Sequence, residues 1–150
     1  MITIKTLKDV RKFLTNIPFI NYGGCGIAAL AIIRWIKKNF NEDISYIYFV
    51  HTMFNPYISE NNQFVKEGKG MIYAPSHVYI SFRGKIFDVN SYTKKTDMLS
   101  PLQFKSEEVL VMALNNVKSW NCAFNRHDAI QKIEAYLDIS LSDIKINDFK

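Results

Sequence analysis

Residues 23–38, "GGCGIAALAIIRWIKK", are the stretch from which the fold of this protein is predicted. From Cys25 to Ile33 the residues are apolar or small on every side of a helical projection, and basic residues follow. A helix that is apolar all round is a buried helix, and cations at its end complement the negative pole of its dipole. We therefore predict a buried helix over residues 25–38, with a cysteine at its first position.

Composition predicts a single domain over residues 1–150, because the chain is 48% hydrophobic and short. The beginning, "MITIKTLKDVRKF", carries charges and no apolar run, so we expect no signal peptide and a cytoplasmic location. No apolar stretch reaches the length needed to cross a membrane. The two cysteines, Cys25 and Cys122, form no metal-binding spacing, so we expect reduced thiols, no metal and no cofactor.

The net charge of +5 gives a pI near 9.1. The basic residues are scattered, as in "RWIKK" at 34–38, "RGK" at 83–85 and "KK" at 94–95. Nucleic-acid binders usually concentrate their charge on one face. We therefore interpret the charge as a solvated basic surface and expect neither a nucleic-acid nor a membrane partner; a steep salt dependence of binding would indicate nucleic acid instead.

Three further helices follow from hydrophobic spacing. Residues 5–15 place Leu7, Val10, Phe13 and Leu14 on one face. The C-terminal helical part, 105–140, contains helices over 105–117 and 125–139, with polar residues near each start. The tail "LSDIKINDFK" reads as short and polar.

The segment 41–54, "NEDISYIYFVHTMF", is ambiguous. Asn41 would cap a helix with Ile44, Ile47, Tyr48 and His51 on one face, while the β-branched and aromatic content would equally suit a strand. The helix is favoured. Residues 55–70 contain proline, asparagine and glycine and are expected to form a loop, with a short strand near Phe64.

The segment "SHVYISFRGKIFDVNSY" (76–92) predicts a β-hairpin that turns at Arg83 and Gly84. Phe82 then pairs with Lys85 and Ile80 with Phe87. One face carries only apolar residues, namely Val78, Ile80, Phe82, Phe87 and Val89. A slip of one residue would move Asp88 into this set, so the pattern fixes the register.

The other face of the hairpin brings polar groups together. His77 lies opposite Asn90 and diagonal to Asp88, within reach of a hydrogen bond. A carboxylate in that position fixes the tautomer of an imidazole. Tyr79 lies on the same face and is a candidate to line a cleft.

A cysteine at a helix N-terminus is well placed for nucleophilic chemistry. The dipole and the free N–H groups favour a thiolate, and the same N–H groups can hold an oxyanion. Gly23 and Gly24 would let the chain turn sharply and leave room for substrate. Cys25, His77 and Asp88 thus form a candidate nucleophile, base and orienting group.

The stretches "GGCGIAAL", "SHVYISF" and "KIFDVN" resemble, in their order, the papain-like cysteine hydrolase superfamily in its minimal forms. That group includes transglutaminase-like enzymes, bacterial cell-wall amidases and endopeptidases, and leader peptidases of bacteriocin exporters. The resemblance covers about residues 18–92. It implies an α+β, papain-like fold in which a buried N-terminal cysteine helix packs on a small antiparallel sheet.

The resemblance also implies the roles of single residues. Cys25 takes the role of the nucleophile, His77 of the base and Asp88 of the orienting group, with Asn90 as the alternate for that last role. Many relatives carry a glutamine before the cysteine as an oxyanion donor; this chain has none, and Asn21 or Asn16 is the substitute.

The expected function is therefore a cysteine protease, amidase or transglutaminase-like enzyme of bacterial or phage type. It would act on an amide of a protein or peptide substrate through a thioester. The alternative is a non-enzymatic binding module on the same scaffold, such as a phage or plasmid factor that masks a host protein. A buried, unreactive Cys25 would favour this alternative.

Overall fold

A computed structural model of the chain describes residues 5–20, 24–51, 77–87, 99–104, 106–116 and 124–145. The four described strands form one antiparallel sheet in the order β3-β2-β1-β4. Helices and this sheet together make an α+β fold, as expected. The elements in chain order are α1 (Leu7–Thr15), α2 (Cys25–Phe40), β1 (Tyr46–His51), β2 (His77–Phe82), β3 (Lys85–Phe87), β4 (Leu99–Phe104), α3 (Glu107–Asn116) and α4 (Arg126–Leu137).

Helix α2 lies at the centre of the core and contacts α1, α3, α4 and β2. Its buried residues occupy every side, as predicted; they include Ile27, Leu30, Ile33 and Ile36. The helix runs to Phe40, two residues beyond the predicted end. Asn41 then adopts the left-handed conformation, with φ of 54°, and donates its N–H to the Lys37 carbonyl.

The helix expected over 41–54 is wrong, because Tyr46–His51 form strand β1. Asn41 ends the preceding helix instead of capping a new one. β1 lies between β2 and β4 and pairs with both, so its backbone groups are satisfied on two sides. The β-branched and aromatic residues of this segment suit such a central strand, and the sequence alone does not show the two partner strands.

The predicted hairpin is confirmed within the described residues. Phe82 pairs with Lys85 and Ile80 with Phe87. Arg83 and Gly84 both have positive φ, 52° and 77°, as a two-residue type I′ turn requires.

The arginine of this turn contacts residues on both sides of it. Arg83 forms an ion pair with Glu42, and its guanidinium carbon lies 5.1 Å and 5.0 Å from the ring centres of Phe40 and Phe82. These contacts stabilise an arginine in a conformation that non-glycine residues rarely adopt.

The other predicted helices are confirmed as α1, α3 and α4. Leu7 is partly buried, while Val10, Phe13 and Leu14 are buried, as their spacing indicated. Asn125 caps α4 by accepting the N–H of Asp128. The loop predicted over 55–70 lies outside the described residues.

The sequence patterns predicted neither strand β4 nor the burial of residues in the tail. Pro101 interrupts the pattern of β4, and the strand tolerates it because β4 lies at an edge of the described sheet. In the tail, Leu141 and Ile144 are buried in the core, although the segment reads as polar.

A polar cluster joins α2 to α3 and the tail. The guanidinium of Arg34 donates two hydrogen bonds to the Asp143 carboxylate, at 2.6 and 2.7 Å. It also donates to Glu107 at 3.1 Å and to the Ser140 carbonyl at 2.8 Å. Only 17% of the Arg34 side chain is exposed, so these bonds are partly shielded from water.

We expect Arg34→Ala to lower the free energy of unfolding by about 1.5–3 kcal/mol, because it removes hydrogen bonds to two carboxylates and one carbonyl. Urea denaturation measures the change. Lys132→Ala, at an exposed cation of α4, is the control and should cost less than about 0.5 kcal/mol. Equal effects of the two substitutions would contradict the role given to Arg34.

The same cluster predicts a pH dependence. The hydrogen bond from Arg34 lowers the pKa of the Asp143 carboxyl below its ordinary value. A lowered folded-state pKa stabilises above the unfolded value, about 3.9, and this stabilisation is lost as the pH falls below it. Asp143→Asn should therefore cost about 1 kcal/mol near pH 7. The difference from the unmodified protein should shrink as denaturation is repeated below about pH 4; a constant difference would contradict the assignment.

Candidate active site

Cys25 is the first residue of α2, and only 2% of its surface is exposed. It is a free cysteine. Gly24 precedes it as the N-cap and provides no side-chain hydrogen bond, and its carbonyl accepts the N–H of Ala28 at 2.9 Å. Within the described residues, no side chain caps the N–H groups of the first turn, which an oxyanion site at this position requires.

The glycines on either side of Cys25 serve close packing. A Cβ added to Gly24 would lie 2.6 Å from the Phe124 ring and 2.8 Å from the Ile20 carbonyl oxygen. A Cβ on Gly26 would lie 2.7 Å from Leu114. The room for substrate that was expected at Gly24 is therefore filled by Phe124 and the Ile20 carbonyl, and Leu114 of α3 fills the space beside Gly26.

The C-terminal end of α2 packs against the end of β2. There the Phe40 ring stacks on Phe82, the last residue of β2, with ring centres 5.9 Å apart. Lys37 and Tyr46, the first residue of β1, line the same cavity of about 570 Å³. Helix α2 also packs against β2, the strand that ends at Phe82.

Two histidine positions lie at the end of the sheet where β2 begins. His77 begins β2, as predicted, and its Cα partner is Val50. His51, next to Val50, ends β1. From the sequence, His51 was expected on a helix face or in a loop rather than in the site, because a helix was favoured over 41–54; that helix is wrong.

The pairing assigns the two positions to different faces. Ile47 is buried against Ile80 on the face that packs on α2, and alternation along β1 brings position 51 to that face. Position 77 follows the alternation of Tyr79, on the opposite face.

The remaining predicted site residues divide into two groups. Tyr79 is described and is 4% exposed, so it is buried. Asn16 caps the end of α1, where its amide donates to the Lys12 carbonyl at 3.0 Å. The others, Asn21, Gly23, Asp88 and Asn90, lie outside the described residues.

Other kinds of site were sought in the described part of the chain. In those ranges, no group of three or more His, Cys, Asp or Glu side chains could hold a metal ion. None of the described helices is long and apolar enough to cross a membrane. The protein was also compared with known proteins: no family model, curated protein or solved structure matches the chain.

We expect Gly24→Ala to destabilise the protein by about 1–3 kcal/mol, because the new methyl group would overlap the Phe124 ring and the Ile20 carbonyl. Combining it with Phe124→Leu should recover part of this loss, since one of the two overlaps is removed and the backbone overlap remains. A double-mutant cycle in urea measures the coupling. Strict additivity of the two changes would contradict the contact.

Proposed function

We propose that this protein is a cysteine hydrolase or acyltransferase of papain-like type that acts on an amide. The observation that carries the proposal is the position of Cys25: this free cysteine opens α2, and α2 packs against β2, the strand that begins with His77. The uncapped first turn of α2 is a second support, because its N–H groups point out of the helix start.

The reaction proposed is acyl transfer through a thioester. The Cys25 sulfur attacks the carbonyl carbon, and the negative charge gathers on the carbonyl oxygen, next to the first-turn N–H groups. His77, having taken the thiol proton, passes it to the leaving amine as the C–N bond breaks. Water or an acceptor amine then gives a proton to His77 and attacks the thioester, which releases the acid or a new amide and restores the thiol.

The roles of orienting the imidazole and assisting the oxyanion are proposed for the residues predicted from the sequence. Asp88 would orient the imidazole, with Asn90 as the alternate, and Asn21 would assist the oxyanion. The substrate class is a protein or peptide amide, which covers a peptide bond, a glutamine side chain and a cell-wall amide. These reactions share the thioester and differ in the leaving group and the acceptor.

His51 is a second candidate for the base. Its position ends β1 beside the partner of His77 and belongs to the face that packs on α2. The test of the proposal therefore includes this residue.

A second function is favoured by one observation, the burial of Cys25. The thiol is 2% exposed, and Phe124 and Leu114 fill the space beside its neighbouring glycines. A buried cysteine is more often a packing residue than a nucleophile. The second candidate is accordingly a non-enzymatic protein-binding module, such as a phage or plasmid factor that masks a host protein.

The pH dependence of alkylation by iodoacetamide, a small reagent, decides between the two functions. In the native enzyme we expect Cys25 to react near pH 6 about tenfold faster than Cys122, as read by mass spectrometry of both peptides. His77→Ala should slow Cys25 and leave Cys122 unchanged, because the imidazolium partner is lost.

The controls use the other histidines. His127→Ala, at an exposed position in the first turn of α4, should have no effect. If His51→Ala slows Cys25 and His77→Ala does not, the base is His51. If Cys25 reacts only after urea unfolds the protein, the hydrolase proposal fails and the binding module replaces it.

A further inference from the structure

A cavity of about 570 Å³ lies beside the C-terminal half of α2. Ile33 and Lys37 of α2 line it together with residues 43–46, which end at the first residue of β1, and with Glu107, the first residue of α3. Its volume falls in the range of about 300–1,000 Å³ that is usual for small-molecule sites. Ile33 is about 12 Å along the helix axis from Cys25, so the cavity is separate from the start of α2, where acyl transfer is proposed.

Apolar side chains provide part of the lining. Ile33 and Ile44 are buried, and Tyr46, which lines the same cavity, is 37% exposed. The segment that carries Ile44 and Tyr46 is fixed to the sheet, because the Ser45 N–H donates to the Ser81 carbonyl of β2 at 2.9 Å. The cavity therefore offers a fixed, mainly aliphatic surface to the apolar part of a ligand.

The lining also contains a cation with unused hydrogen-bond donors. The Lys37 ammonium donates to the Glu107 carboxylate at 3.2 Å and makes no other hydrogen bond with the described residues. An ammonium has three N–H groups, so two of those on Lys37 stay available. The other carboxylate oxygen of Glu107 accepts from Arg34 at 3.1 Å. Because Arg34 offsets the charge of Glu107, the Lys37 ammonium can also bond to an anionic group of a ligand.

One carboxylate of the lining is not engaged. Asp43 is exposed, and its side chain forms no hydrogen bond or ion pair with any described residue. Its neighbour Glu42 differs, because it pairs with Arg83. Glu107 differs as well, since both of its oxygens already accept hydrogen bonds. Asp43 is therefore the carboxylate of this cavity that is open to a cationic group of a ligand.

The backbone brings these two charged positions close together. The Asn41 N–H donates to the Lys37 carbonyl at 3.1 Å where α2 ends, and Asp43 follows Asn41 within about 7 Å of chain. Lys37 and Asp43 form no ion pair with each other. The cavity thus presents one cation and one anion that a single small ligand can bridge.

We propose that this cavity binds a small zwitterion, a free α-amino acid with an aliphatic side chain. The ammonium group of the ligand bonds to Asp43, and its carboxylate bonds to Lys37. The aliphatic side chain packs on the isoleucines of the lining. A ligand with a single charge would leave one of the two charged groups without a partner, so the pair selects the zwitterion.

The test is an NMR titration of the ¹⁵N-labelled protein, which detects weak binding and locates it. The probes are L-leucine, 3-methylbutylamine, which is leucine without its carboxylate, and 4-methylpentanoate, which is leucine without its amine. We expect L-leucine to bind with a Kd of about 1 mM and to shift the amide signals of residues 43–46 and 107. The two compounds with one charge should each bind at least about threefold more weakly.

Single variants assign each charge of the ligand to its partner. Asp43→Asn should raise the Kd of L-leucine about threefold to fivefold and leave that of 4-methylpentanoate unchanged. Lys37→Gln should weaken L-leucine similarly and leave 3-methylbutylamine unchanged, and Glu107 keeps its bond to Arg34 in this variant. The matched controls are Asp128→Asn and Lys132→Gln, at exposed positions of α4, and neither should change any Kd.

Three results would overturn the proposal. The first is the absence of saturable shifts at residues 43–46 and 107 on addition of L-leucine. The second is binding of either singly charged compound as tight as that of L-leucine, which would mean that the cavity does not select a zwitterion. The third is an equal effect of a cavity variant and its α4 control. The assay measures binding and is run equally on Cys25→Ser, so its outcome is independent of the proposed acyl transfer.

Discussion

The burial of α2 on all its sides is the constraint on which the rest of the structure depends. Each fully buried leucine or isoleucine side chain contributes about 1.5–3 kcal/mol relative to an exposed one. A helix with such residues all round, as in Ile27, Leu30 and Ile33, needs cover in every direction. The sheet covers one side through β2, and α1, α3 and α4 cover the others.

This constraint explains where glycine and arginine interrupt the apolar helix. Gly24 stands where the Phe124 ring and the Ile20 carbonyl approach too closely for a side chain, and Gly26 packs against the end of the flexible Leu114 side chain. Arg34 stands where α2 reaches the polar ends of α3 and the tail, and each of its partners is a carboxylate or a carbonyl. The thiol at the start of α2 is thus enclosed by the same packing that stabilises the core, and any chemistry at Cys25 has to take place in an enclosed site.

Local patterns in the sequence were sufficient for the elements whose partners are close along the chain. The all-apolar run predicted α2 and its first residue, and the alternating runs around Arg83 and Gly84 predicted the hairpin with its register. The tertiary structure alone decided that Tyr46–His51 form a central strand, since a segment with two compatible patterns takes the one that its distant partners, β2 and β4, can satisfy. It also brought the positions of His51 and His77 together at one end of the sheet, through the pairing of β1 with β2. Those features depend on contacts between residues far apart in the chain, which no local pattern encodes.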